Sequence, residues 1–273
     1  MMRAAPTACC QSALGVHVAV RFKRYQHVVS LGFFCSVALE LDRYGLRDGS
    51  YPFDWIICPI EPTLAAVASY PEELINPATL ERDATNAYIV HDTATGIDYY
   101  HDFRADEPIE DQIERVRAKY RRRAQRLTEA MSQSTLFVRY IADRAEFDFL
   151  NDNMATVLST LRSANQSCDL MLIAPPETPN RCGGIPVHIV APDEGDVVAR
   201  EFASASATVH RALISVGYPL TKRITNLSRY RRSARGVARR ERLKRRRRQT
   251  LRRALHLTAL RNALRRLAGG PRP

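Results

Sequence analysis

Val28-Val29 runs into Ser30-Leu31-Gly32, and Val37, Ala38, Leu41 and Tyr44 then recur at three- and four-residue steps until Gly45 and Asp48-Gly49. That is the pattern of a strand, a glycine turn and a helix. The segment Tyr51-Pro52-Phe53-Asp54-Trp55 follows as an ordered loop, and Glu61 to Leu74 reads as a helix with Pro62 in its first turn. Two short strands, Tyr88 to His91 and Ile97 to Phe103, join across residues 93–96 as a hairpin. Alternation in the second places Ile97, Tyr99, His101 and Phe103 on one apolar face and Asp98, Tyr100 and Asp102 on the other.

From Glu110 to Met131 the spacing predicts a long helix, with Ile113, Val116, Tyr120, Leu127 and Met131 on its apolar face. Arg115, Lys119, Arg122, Arg123 and Arg126 are expected elsewhere on its surface. Strands at Leu136–Ile141, Leu170–Ala174 and Val187–Val190 then alternate with helices at Phe149–Leu161 and Val197–Val216. Continuous apolar strands separated by helices indicate an α/β fold. Its expected form is a mostly parallel sheet covered by helices, with an inserted β-hairpin and a basic helical C-terminal tail.

Charge divides the chain. Residues 222–273 hold 20 Lys and Arg against one acid, Glu241, whereas residues 1–221 hold 21 against 28 acids, so a mildly acidic body carries a tail of +19. The division suggests an N-terminal extension over 1–26, a folded domain over 27–221 and a tail over 222–273. Arg229 to Arg248 is too charged to pack, and Leu257, Leu260, Leu264 and Leu267 then form one helical stripe. Residues 229–267 are therefore expected to meet an anionic membrane surface or a nucleic acid.

No apolar run approaches the ~18 residues that a membrane span needs. The N-terminal segment, interrupted by His17, Arg21, Lys23 and Arg24, does not read as a secretion signal. Six cysteines without a C-x-x-C pair argue against a disulfide framework and for a reducing, cytoplasmic setting, with peripheral membrane contact through the tail. Cys35, Cys58, His91 and His101 have no metal-ligand spacing, and one glycine at Gly32 is too few for a dinucleotide loop, so no metal or cofactor is expected.

Candidate chemistry centres on Cys35, which falls in the first turn of its helix. Free N–H groups and the helix dipole favour a thiolate there and could hold an oxyanion. The words around it, Ser30-Leu31-Gly32-x-x-Cys35, then Leu46-Arg47 leading to Tyr51-Pro52-Phe53-Asp54-Trp55, and Tyr100-His101-Asp102-Phe103, resemble a bacterial family of unknown function described as papain-like cysteine peptidases. The similarity covers residues 27–145 and extends toward 200. The resemblance implies a nucleophilic Cys35 with His101 as general base and acid, in papain's order of Cys then His. His91 is the fallback base.

Asp54 is the first choice for the acid that orients the imidazole, with Asp102 and Asp143 as alternatives. Trp55, Arg122 and Arg123 are candidates for binding the substrate, a peptide or another amide or ester. Two positions depart from papain's pattern: Phe34-Cys35-Ser36 replaces Cys-Gly-x-Cys-Trp, and Gln26 lies on the far side of the strand from where an oxyanion glutamine would stand. Two other classes fit the same residues. One is an α/β transferase or hydrolase of glycan or nucleotide substrates with a structural Cys35, and the other is a non-catalytic adaptor acting through its tail.

Overall fold

The computed structural model describes residues 23–68, 75–190 and 206–236. Two sheets organise them. The larger has the order β1 (His27–Ser30), β6 (Thr135–Tyr140), β7 (Asp169–Ala174), β9 (Ile185–Ile189) and β8 (Arg181–Cys182). The first four strands are parallel and β8 returns antiparallel to β9. The smaller sheet is antiparallel, with the order β2 (Ile56–Ile57), β5 (Ile97–Tyr99), β4 (Val90–Asp92) and β3 (Leu80–Arg82). The α/β class and mostly parallel sheet agree with the sequence pattern, and the expected hairpin is the centre of this second sheet.

Among the described residues six α-helices cover the sheets: α1 (Cys35–Arg43), α2 (Ile60–Ala68), α3 (Ile113–Met131), α4 (Arg144–Leu161), α5 (Ala207–Ser215) and α6 (residues 220–236). Side chains of the parallel strands alternate between two cores. Val28, Leu136, Val138, Tyr140 and Ile173 pack with Val37 and Leu41 of α1 and Val209 and Leu213 of α5. Val29, Phe137, Leu170, Leu172 and Val187 pack on the other side with α2, α3, α4 and the smaller sheet.

The chain therefore leaves β1 toward one face of the sheet and leaves β6 toward the other. Adjacent parallel strands whose following helices diverge open a crevice at their carboxyl ends, the usual ligand site of an open α/β sheet. Here a cavity of about 280 Å³ occupies it, with Phe33, Pro59, Ile60, Ala142, Asp143 and Phe149 among its lining residues.

Parts of several expectations fall outside the described residues: the N-terminal extension up to residue 22, positions 69–74 of the second helix, 197–205 of the helix ending at Val216, and the leucine stripe. Residues 229–236, expected to be too charged to pack, are helical. Tyr230 accepts a hydrogen bond from Arg43, and Arg229 donates to the Asp48 carbonyl. Long arginine stems can pack while their heads stay wet.

Candidate active site

Cys35 is the first residue of α1, and Phe34 at the cap is extended (φ −144°, ψ 162°) with no side-chain capping bond. The turn before it depends on Gly32, at φ +78°, where a Cβ would meet the Phe53 carbonyl at 3.3 Å and Arg139 Nη1 at 3.5 Å. That left-handed conformation and close approach favour glycine.

Arg139 on β6, wholly buried, ties the turn down. Its Nη1 donates to the Leu31 carbonyl at 2.7 Å and to the Cys58 carbonyl at 3.0 Å. Nε and Nη2 grip Glu146 in a bidentate pair at 2.6 and 3.0 Å. Glu146 stands in the first turn of α4, whose cap is Asp143 accepting from the Glu146 amide at 2.9 Å. One guanidinium thus joins the ends of β1, β2 and β6 beside the nucleophile. Sequence reasoning passed over this residue, although an arginine inside the apolar strand Leu-Phe-Val-Arg-Tyr requires a buried partner.

Cys35 and His101 line one small cleft with Phe34, Trp55, Ile56 and Tyr100. Its volume of about 20 Å³ leaves room for about one water. The Trp55 ring meets His101 at 6.3 Å between centroids, with an interplanar angle of 76°. Among the described residues, neither ring nitrogen of His101 has a hydrogen-bonding partner and no hydrogen bond joins it to Cys35.

The expected inward face for His101 is corrected. Strand β5 ends at Tyr99, so the alternation stops; Ile97, Tyr99 and Phe103 are buried while His101 is exposed in the bend beyond. The same bend buries Asp102, which bonds Lys119 and accepts from the Tyr120 hydroxyl at 2.9 Å.

Asp54 is fully buried and lies beside Arg47. Its Oδ2 accepts from Arg47 Nε and Nη2 at 3.0 and 2.8 Å and from the Tyr51 amide at 2.8 Å. Among the described residues it makes no hydrogen bond to His101. Its connection runs through Arg47, whose Cζ lies 5.3 Å from the centre of the Trp55 ring. His91 has both ring nitrogens beside carboxylates, Nδ1 with Asp98 at 2.5 Å and Nε2 with Asp83 at 2.9 Å, so it has no vacant base nitrogen.

Arg122 is exposed, as expected of the charged surface of α3. Arg123 is not: it is 5% exposed and its Cζ lies 5.1 Å from the Tyr120 ring. Its place three residues after Tyr120 and four before Leu127 puts it within the apolar stripe.

Burial holds the Cys35 thiol above its ordinary range, while its own backbone N–H pulls the other way. Burial thus works against the thiolate that the helix head favours. Cys58 is pushed up to about 11, chiefly by burial, with Thr63 donating to its sulfur. Of the four described cysteines Cys58, Cys168 and Cys182 are buried and Cys35 is half-buried. No group of three or more His, Cys, Asp or Glu suited to a metal ion occurs among the described residues.

A search of curated proteins and a search of solved structures each found no match. Residues 26–174, more than half of the chain, match a family described as "putative papain-like cysteine peptidase", and the matched segment runs from the start of β1 through α1, the smaller sheet, α3 and α4 to the end of β7. The chain belongs to this family.

Proposed function

We propose that the protein is a thiol-dependent hydrolase or acyl transferase acting on a peptide, amide or ester, with Cys35 as nucleophile and His101 as general base. The observation that carries this reading is the shared cleft. A half-buried cysteine at a helix head without a side-chain cap lines the same space as a histidine whose ring nitrogens have no hydrogen-bonding partner among the described residues.

His101 takes the Cys35 proton as Sγ attacks the acyl carbon. An S–C bond forms, the C–N or C–O bond to the leaving group breaks, and the imidazolium returns the proton to the departing amine or alcohol. Water, or an acceptor nucleophile, then cleaves the thioester, with His101 again receiving and returning a proton. The amides of Cys35 and Ser36 at the head of α1 stabilise the oxyanion.

The cleft is too small for an acyl group, so Trp55 or Tyr100 must turn aside as substrate enters. The crevice between β1 and β6 lies next to the same turn through Phe33 and has the size to receive a substrate side chain. Asp54 serves as a positioning residue through Arg47 and Trp55, and Arg122 is available to an anionic group on the substrate.

The test is acylation by p-nitrophenyl acetate, followed by release of p-nitrophenol and mass mapping of the adduct. An acetyl group on Cys35, absent in Cys35→Ala and formed about 10²–10⁴-fold more slowly in His101→Ala, supports the reading. Acylation at other residues only, or an unchanged rate in His101→Ala, overturns it.

A further inference from the structure

Four large apolar side chains are exposed among the described residues: Tyr88, Ile214, Leu220 and Ile224. Three of these lie between positions 214 and 224, at the point where the tail of 20 Lys and Arg begins. Their placement is connected. Leu220 and Ile224 are four residues apart on α6 and so share a face, and Arg231 and Arg235 continue that face about two and three turns later. Arg223 donates to the carbonyls of Ile214 and Val216 at 3.5 and 3.0 Å, which pins the end of α5 beside the start of α6.

The other side of α6 is occupied. Asn226 is buried and donates to the Gly45 carbonyl at 3.2 Å, and Tyr230 bonds Arg43. The exposed aliphatic and arginine face therefore points away from the body.

Aliphatic side chains beside arginines, with almost no acids, suit an anionic bilayer, where the apolar groups enter the interface and the cations meet headgroups. Single-stranded nucleic acid would instead call for stacking aromatics. Beyond Tyr230 the sequence contains no Phe, Tyr or Trp, while Leu257, Leu260, Leu264 and Leu267 extend the aliphatic supply. No helix of the described residues is long and apolar enough to cross a membrane.

We propose that Ile214, Leu220 and Ile224, with the arginines of α6, seat this protein on an anionic lipid bilayer. The helix that carries the seat packs by its other side on the carboxyl end of α1, about one 13 Å helix length from Cys35 at the other end. This inference is independent of the catalytic reading.

The test is co-sedimentation of the full chain with vesicles of phosphatidylcholine plus phosphatidylglycerol, compared with phosphatidylcholine alone. The expected result is binding to the anionic vesicles that weakens with salt. In the triple variant Ile214→Ser, Leu220→Ser, Ile224→Ser it falls on the order of tenfold to a hundredfold. The control Tyr88→Ser, an exposed apolar residue elsewhere, should bind as wild type. Equal binding by the triple variant, equal binding to neutral vesicles, or binding to an RNA duplex without binding to vesicles overturns the proposal. The substituted side chains are exposed, so an unchanged melting temperature separates lost contact from lost fold.

Discussion

Arg47 grips the Asp54 carboxylate through Nε and Nη2 and at the same time lies over the Trp55 ring. Trp55 meets His101 edge to face. The buried acid of the Pro-Phe-Asp-Trp loop thus connects to the histidine through two intervening side chains.

Asp54→Ala strands a mostly buried guanidinium. The expected cost is about 3–5 kcal/mol by urea denaturation, toward the lower end because Asp42 remains bonded to Arg47. Trp55 is the only tryptophan, so its fluorescence reports the loop directly. The double variant Arg47→Met, Asp54→Leu should recover much of the lost stability, and simple additivity of the two single losses would contradict the pairing.

Alkylation of Cys35 by iodoacetamide should follow a midpoint above the ~8.5 of a free cysteine, because burial disfavours the thiolate. Cys58 and Cys182, both pushed up to about 11, should stay unreacted in the folded protein throughout the neutral range. Mass mapping after timed alkylation checks both. A midpoint at the free-cysteine value would contradict the effect of burial, and one below neutral pH would show a resting thiolate and a different first step.

Gly32→Ala forces an alanine into the left-handed region with its Cβ 3.3 Å from the Phe53 carbonyl. The backbone alone costs about 1–2 kcal/mol, and relief by movement of the turn displaces Cys35. Denaturation and alkylation rate should change together. A stability loss with wild-type Cys35 kinetics would mean that the turn does not set the nucleophile.

The His91 clasp carries two opposite pH dependences. Hydrogen bonds to Asp83 and Asp98 raise the His91 pKa, so its contribution is complete below the unfolded value of ~6.5 and fades as pH climbs through the folded one. Hydrogen bonds from Thr85 and His91 lower that of Asp83, so its contribution is present above the unfolded carboxylate value of ~3.9 and fades on acidification through the folded one. Melting temperature against pH should therefore lose a feature on each side in His91→Gln. Superimposable curves for the two proteins would remove the clasp from the stability of the hairpin.

Local pattern explains which features were legible in the sequence. The turn and the start of α1 at Cys35 follow from one glycine and a three-to-four-residue apolar repeat, and β6, β7 and β9 follow from continuous apolar runs. The face of His101 did not follow, because alternation was extended across Tyr100 and the ladder stops at Tyr99, where its neighbouring strands end. Arg123 shows the same limit on a helix: charge suggested the surface, but its stem and guanidinium pack on Tyr120 within the apolar stripe.

By itself the sequence determined the α/β class, the position of the cysteine at a helix head and the separation of an acidic body from a basic tail. All three rest on short-range periodicity or on composition, which local backbone geometry converts into structure. Only the tertiary structure decided that Cys35 shares its cleft with His101, that Arg139 binds Glu146 and the carbonyls of Leu31 and Cys58, and that Arg47 links Asp54 to Trp55. The cleft and the Arg139 bonds join segments far apart along the chain, and Arg47 meets Asp54 within one loop whose path no local period sets. Buried charges must find partners wherever the packing brings them, and no regular spacing along the chain encodes that choice.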